Sequence, residues 1–266
     1  MKMSPRHIVF IIIALAVILP IMFNIRLGGS VTPETQQTFD NIDSLAPGSV
    51  IMVSFDFEAS SLAEVRPLAE VIIRHAIAKN LRIAAVSLFV EGAELGRQLL
   101  TSLAGSSGKV YGVDYVYLGF RPQFQAAILA MGESISREFP VDYFGNVTAD
   151  LPMMREVDNY SDIALIVSVA DGSMPTYWVE YAVTPHRAKF QTVLTATMAT
   201  SFYPYLASGQ IKGIAAGLKG AAEYESLLGH EGAGSRGALA QSVSQFAIVL
   251  IIIAGNLIER WRRRRD

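Results

Sequence analysis

The chain has 266 residues, 51% of them apolar and 17% charged, with a formal net charge of −2 and no cysteine. That balance excludes a disordered acidic chain, a disulfide scaffold, a cysteine nucleophile and any thiolate-held metal or iron–sulfur centre. Mean hydropathy is +0.35, high for a water-soluble globule, and the excess is concentrated at the two ends.

Residues 8–23 (IVFIIIALAVILPIMF) form an unbroken apolar run that reaches 18 residues when Asn24 and Ile25 are included. At the rise of an α-helix this is about 27 Å, set against a hydrocarbon core of ~30 Å. Pro20 falls near one end, where few backbone bonds depend on it. Lys2 and Arg6 precede the run and no small-x-small cleavage site follows it, so residues 8–25 are expected to be an uncleaved transmembrane helix. Residues 26–48 are polar with Gly and Pro at both ends, and are expected to form a linker or a surface helix leading from the membrane.

Between residues 49 and 228 lie about 180 residues, enough for one sizeable core. Apolar runs of strand length recur at 49–55, 82–89, 114–119, 163–170, 191–196 and 210–215. Their apolarity is continuous rather than alternating, which predicts strands covered on both faces. Longer amphipathic stretches separate them. Helices are expected at 67–79, 93–103, 123–138, 174–183, 201–207 and 218–228. Ser61-Leu-Ala-Glu64 resembles a capping box, but Pro67 argues against one uninterrupted helix from that point. Residues 139–160 contain two Pro and one Gly and are expected to be a crossover between two lobes. Strand–helix units repeated in this way predict an α/β fold: a doubly wound, mostly parallel sheet domain flanked by an N-terminal and a C-terminal transmembrane helix.

The Gly-rich stretch 229–237 (GHEGAGSRG) is expected to be a second linker, and residues 238–258 a second transmembrane helix, which admits Gln241 and Gln245 near its start. A basic tail, 259–266, carries Arg260, Arg262, Arg263, Arg264 and Arg265. With Lys2 and Arg6 this places positive charge outside both apolar segments. Residues 27–258, by contrast, hold fourteen Lys and Arg against twenty-two Asp and Glu, a net charge of −8. The positive-inside rule therefore predicts two passes of the inner membrane, both termini cytoplasmic and the main domain periplasmic. The arginines beside a membrane helix point to anionic lipid rather than to nucleic acid.

In open α/β sheets, ligands bind beyond the carboxyl ends of the strands. Those ends carry Asp56 and Glu58, Glu91, Arg121, Asp171, Thr197 and Lys219. The loop after the first strand is long, so Asp56, Glu58, Arg121 and Lys219 are the candidate ligand-binding residues. Asp171-Gly-Ser173 fits a turn followed by a helix cap. Gly213-Ile-Ala-Ala-Gly217-Leu-Lys-Gly220 follows a strand and opens a helix. Its spacing matches neither G-x-G-x-x-G nor a P-loop, and its small residues suit close helix–sheet packing. H-E-x-x-H and G-x-S-x-G are both missing, so no catalytic residue, metal ligand or cofactor is assigned. Gln241, Gln245, Tyr203 and Tyr205 are candidate interaction residues, since amides entering a membrane helix and exposed aromatics both seek partners. The expected function is a non-catalytic structural or interaction subunit of a larger membrane assembly, formed with other membrane proteins or by self-association. The alternative is a membrane-anchored ligand-binding or sensory domain.

Overall fold

The six apolar runs become the six strands of one sheet in a computed structural model that describes residues 4–22 and 30–263. In chain order the elements are α1 (Pro5–Met22), α2 (Pro33–Asp43), β1 (Val50–Asp56), α3 (Leu62–Ala78), β2 (Arg82–Ser87), α4 (Val90–Ser106), β3 (Tyr115–Phe120), α5 (Phe124–Met131) and the single turn α6 (Ile135–Glu138). There follow β4 (Leu165–Ala170), α7 (Met174–Trp178), a π-helical turn at Val179–Val183, α8 (Thr184–His186), β5 (Phe190–Leu194), α9 (Ala199–Ala207), β6 (Ile214–Ala216), α10 (Gly217–Leu227) and α11 (Ala233–Arg262).

The strand order is β3-β2-β1-β4-β5-β6 and every pairing is parallel, a Rossmann-like arrangement. Side chains alternate between two buried layers, as a pleated strand requires. Ile51, Val53 and Phe55 face the layer holding α3, α4 and α10. Val50 and Met52 face the opposite layer, which holds α5, α7 and α9. Continuous apolarity thus reflects two covered faces, as expected. Residues 139–160 form short 3₁₀ turns whose Met153, Met154 and Tyr160 are buried in that second layer. They carry the chain from the β3 edge back across the sheet to β4 beside β1, so the crossover lies within a single sheet.

Several local readings need correction. α3 begins at Leu62 and runs through Pro67 without a break. The one carbonyl deprived of a donor belongs to Ala63, which is exposed to solvent. Ser61 makes no capping bond; its hydroxyl is used elsewhere, as described below. The helix expected at 123–138 is split at Gly132, against which the His186 ring is packed, and Ser134 caps the following turn by accepting from the Arg137 N–H.

The first polar stretch, expected as a linker or a surface helix, forms α2, and the second expected linker contains the start of a helix. Pro33–Asp43 buries Thr35, Thr38 and Ile42 against the domain. Asn41 Nδ2 donates to Gln191 Oε1 at 3.0 Å and to the Lys212 carbonyl at 2.9 Å. Ala233 opens α11 inside the stretch assigned to a linker at 229–237, and α11 continues past residue 258 to Arg262. Residues 1–3, 23–29 and 264–266 lie outside the described residues. They include Lys2, the end of the first apolar run, the start of the first linker, Arg264 and Arg265. Among the described residues α11 is the one helix long and apolar enough to cross a membrane; α1 supplies a shorter apolar stretch, Arg6–Met22. The two helices pack along each other. The positions not exposed are Val9, Ile13, Ala16 and Pro20 on α1 and, from Ala240 onward, Ala240, Ser244, Ala247 and Ile251 on α11, each set recurring at the spacing of one helix face.

Candidate functional site

Sequence order reverses direction between β1 and β4, so a ligand crevice would open above their carboxyl ends. Backbone N–H groups of the surrounding loops do point there, but the protein's own carboxylates accept from them. Asp171, just after β4, takes the Glu58 N–H at 2.7 Å and the Ser61 hydroxyl at 2.7 Å. Glu91, in the first turn of α4, takes the Ala59 N–H at 2.5 Å. Glu64 of α3 takes the Ala196 N–H at 2.7 Å. Each carboxylate stands in for an anionic ligand and ties one loop to another. An incoming phosphate would meet three negative charges and occupied donors. This cross-loop use of Asp171 was read from sequence as a local turn. Ser173, expected to cap the next helix, makes no capping bond.

Asp56 lies one layer below and is completely buried at the end of β1, opposite Ala170. Ser54 Oγ donates to its Oδ1 at 2.6 Å, while Ser168 Oγ and Trp178 Nε1 donate to Oδ2 at 2.7 and 2.9 Å. Burial pushes the carboxyl above its ordinary value, against the lowering effect of these donors. The group joins β1 and β4 to α7 and is sealed from solvent. The Glu58 side chain is exposed above it. Arg121 is not brought to either acid: its Nε donates to the Glu138 carbonyl at 2.8 Å, lies 3.4 Å from the Glu138 carboxylate, and its guanidinium covers the Phe139 ring. Lys219, 75% exposed, stands 3.5 Å from Glu223 on the same helix. The four candidate ligand residues therefore occupy separate places. The Gly-rich stretch packs as expected. A side chain at Gly213 would strike Thr38 of α2, one at Gly220 would press on the Ala215 backbone, and Gly217 adopts φ +63°.

α10 holds the segment before α2 and the start of α11 through two buried carboxylates. Glu223 accepts from the Thr32 N–H at 3.1 Å and the Thr32 hydroxyl at 2.6 Å, just after the stretch that follows α1. Glu225, 2% exposed, accepts from the N–H groups of Gly234 and Ser235 in the first turn of α11. The same helix buries Tyr224, whose hydroxyl is 2.8 Å from His75 Nδ1, and the His75 ring stacks on Phe39 of α2. Burial holds the His75 pKa below the usual imidazole value. A run of small residues and acids in 217–228 gave no sign of this role, because capping over nine residues depends on how α10 and α11 turn.

Among the candidate interaction residues, Tyr203 is exposed and Tyr205 is half-buried beside Phe202. Gln241 and Gln245 are exposed on α11. A further apolar surface borders the β3 edge. Val110, Val113, Val141, Tyr143, Phe144 and Val147 are each 46–56% exposed. Asp142, 4% exposed, shapes this loop by accepting from the Tyr111 hydroxyl at 2.6 Å, the Phe144 N–H at 2.9 Å and the Asn146 N–H at 2.8 Å. Tyr143 and Phe144 are neighbours in the chain; the valines join them only in the folded loop. Among the described residues no group of three or more His, Asp and Glu is placed to hold a metal ion. In comparisons with known proteins, no family model, curated protein or solved structure matches this chain.

Proposed function

We propose that this chain is a non-catalytic, two-pass inner-membrane protein whose periplasmic α/β domain serves as an interaction subunit of a larger membrane assembly. The observation that carries this reading is the exposed apolar band at the β3 edge, since contiguous apolar surface on a soluble domain marks a protein contact. The band lies at the sheet edge opposite β6, the strand that packs beside α10. A partner there would meet a surface facing away from the membrane-side junction.

Two further features favour this reading over a ligand-binding sensor. The crevice donors are taken by Asp171, Glu91 and Glu64. The Glu223 and Glu225 contacts set the domain's orientation on its helices, which suits a part of an assembly better than a freely tethered receptor. The two-pass topology is supported by the packing of α1 along α11 and by the basic residues beyond both apolar segments.

Native mass spectrometry of the full chain, gently extracted from its membrane, tests the proposal. Additional subunits or several copies are the expected result; a lone chain carrying a small extra mass would overturn it in favour of a ligand domain. A cysteine replacing the exposed His230 should react with an impermeant thiol reagent in intact cells. Reaction only after lysis would overturn the topology.

A further inference from the structure

All three side-chain amides of α11 fall on one face of the helix. Gln241 and Gln245 enter the apolar segment, Asn256 leaves it, and Ile248 and Ile252 lie between them at four- and three-residue steps. This stripe is separate from the Ala240–Ser244–Ala247–Ile251 face that is partly covered, and all five of its residues are exposed. The amides have no hydrogen-bond partner among the described residues, whereas Ser242 and Ser244 are satisfied by backbone carbonyls of their own helix. An amide in hydrocarbon without a partner is costly, and three on one face define a second helix contact.

We infer that a second copy of this chain covers the stripe, so that two α11 helices pair in parallel across a twofold axis. The inference rests on the reading of α11 as a membrane helix. Two copies inserted by the same rule point the same way, so each residue meets its equivalent at the same depth. A carboxamide carries both a donor and an acceptor and is therefore satisfied by another carboxamide, as a lone apolar or charged side chain would not be. From Gln241 to Ile252 the steps are four, three and four, the spacing of a left-handed helix pair with Ile248 and Ile252 as its packed centre. Just beyond Asn256 the same face carries Glu259 and Arg263, joined at 2.9 Å. Each copy thus brings one internally paired anion and cation to that end of the stripe.

The chain lacks cysteine, so single replacements report contacts directly. Full-length Ile248→Cys and Leu250→Cys, the latter on the opposite side of α11, are reconstituted in phosphatidylcholine vesicles and treated with an oxidant. Ile248→Cys is expected to give a disulfide-linked dimer and Leu250→Cys to remain monomeric. Equal cross-linking at both positions, or none at Ile248→Cys, overturns the paired stripe. In the wild-type background, Gln241→Leu, Gln245→Leu and Asn256→Leu combined should weaken dimerisation roughly tenfold or more on dilution in lipid; an unchanged dimer also overturns it. A water-soluble maleimide separates the two levels. Rapid labelling of Ile248→Cys in intact vesicles would refute the membrane placement of α11 itself. Protection without cross-linking would refute the pairing alone.

Discussion

Glu225 and Ser235 are bonded twice, the carboxylate accepting both the backbone N–H, at 2.7 Å, and the hydroxyl of the serine. With the Gly234 N–H at 2.8 Å this fills two of the donor positions that open α11 and places a negative charge at a helix N-terminus, where the helix dipole favours it. The contact couples a 30-residue helix to the domain core rather than leaving it on a loose tether.

Glu225→Ala should therefore loosen the junction more than it disturbs the sheet. Buried N–H groups lose a charged acceptor, a cost of about 2–4 kcal/mol. Limited proteolysis is expected to open a new cleavage site within residues 228–234, with fragment masses identifying it. Resistance equal to wild type would show that the junction does not depend on Glu225.

Two glycines of α4 give opposite expectations. A methyl group at Gly92 would collide with the backbone carbonyl of Phe55, which is fixed in β1; at Gly105 it would meet open space. Gly92→Ala should lower unfolding stability by about 1–3 kcal/mol, and Gly105→Ala should raise it by about 0.5–1 kcal/mol. Denaturant titration of the two purified variants, read by tryptophan fluorescence, checks the difference in sign.

Asp56 sets a pH dependence whose sign follows from its raised pKa. Between its ordinary value of 3.8 and its raised folded value, the folded chain retains the proton and the unfolded chain does not. Its contribution to stability is therefore full below that window and falls as pH rises through it. Asp43 and Asp158 are lowered and act in the opposite direction, so the measurement is a difference. Thermal unfolding across acidic to neutral pH should show wild type losing stability relative to Asp56→Asn as pH rises. Asp56→Ala should cost about 3 kcal/mol or more at every pH, because three donors are left without an acceptor. Parallel pH profiles for wild type and Asp56→Asn would contradict this account.

Phe144→Ser combined with Val147→Ser removes apolar surface from the β3 edge without touching Asp142, which builds the loop. Both side chains are about half exposed, so the melting temperature should change little. Partner subunits recovered with the chain should fall to a small fraction of wild type. Unchanged recovery would remove the band as an interaction surface.

The layered α/β fold was legible in the primary structure because a strand covered on both faces must be apolar at every position. All six runs identified on that basis are strands. The crevice was legible only as a location. Asp171 read as a turn residue and Arg121 as a ligand-binding candidate alongside Asp56, since sequence spacing reports neighbours along the chain. Which carboxylate reaches which N–H across 113 residues, from Asp171 to Glu58, depends on the packing of loops from β1 and β4.

The same division holds at the ends of the chain. Apolar length and the placement of arginines are local properties, and by themselves they determined two greasy segments around an acidic middle. Only the tertiary structure decided that the intervening polar stretches are docked helix and capped junction. Thr35, Thr38 and Ile42 gain their burial from α10, α3 and the β6 edge, and Glu225 gains its donors from a turn completed nine residues later. Polar composition describes what a segment can tolerate in water, whereas a partner brought close by the fold decides whether it stays there.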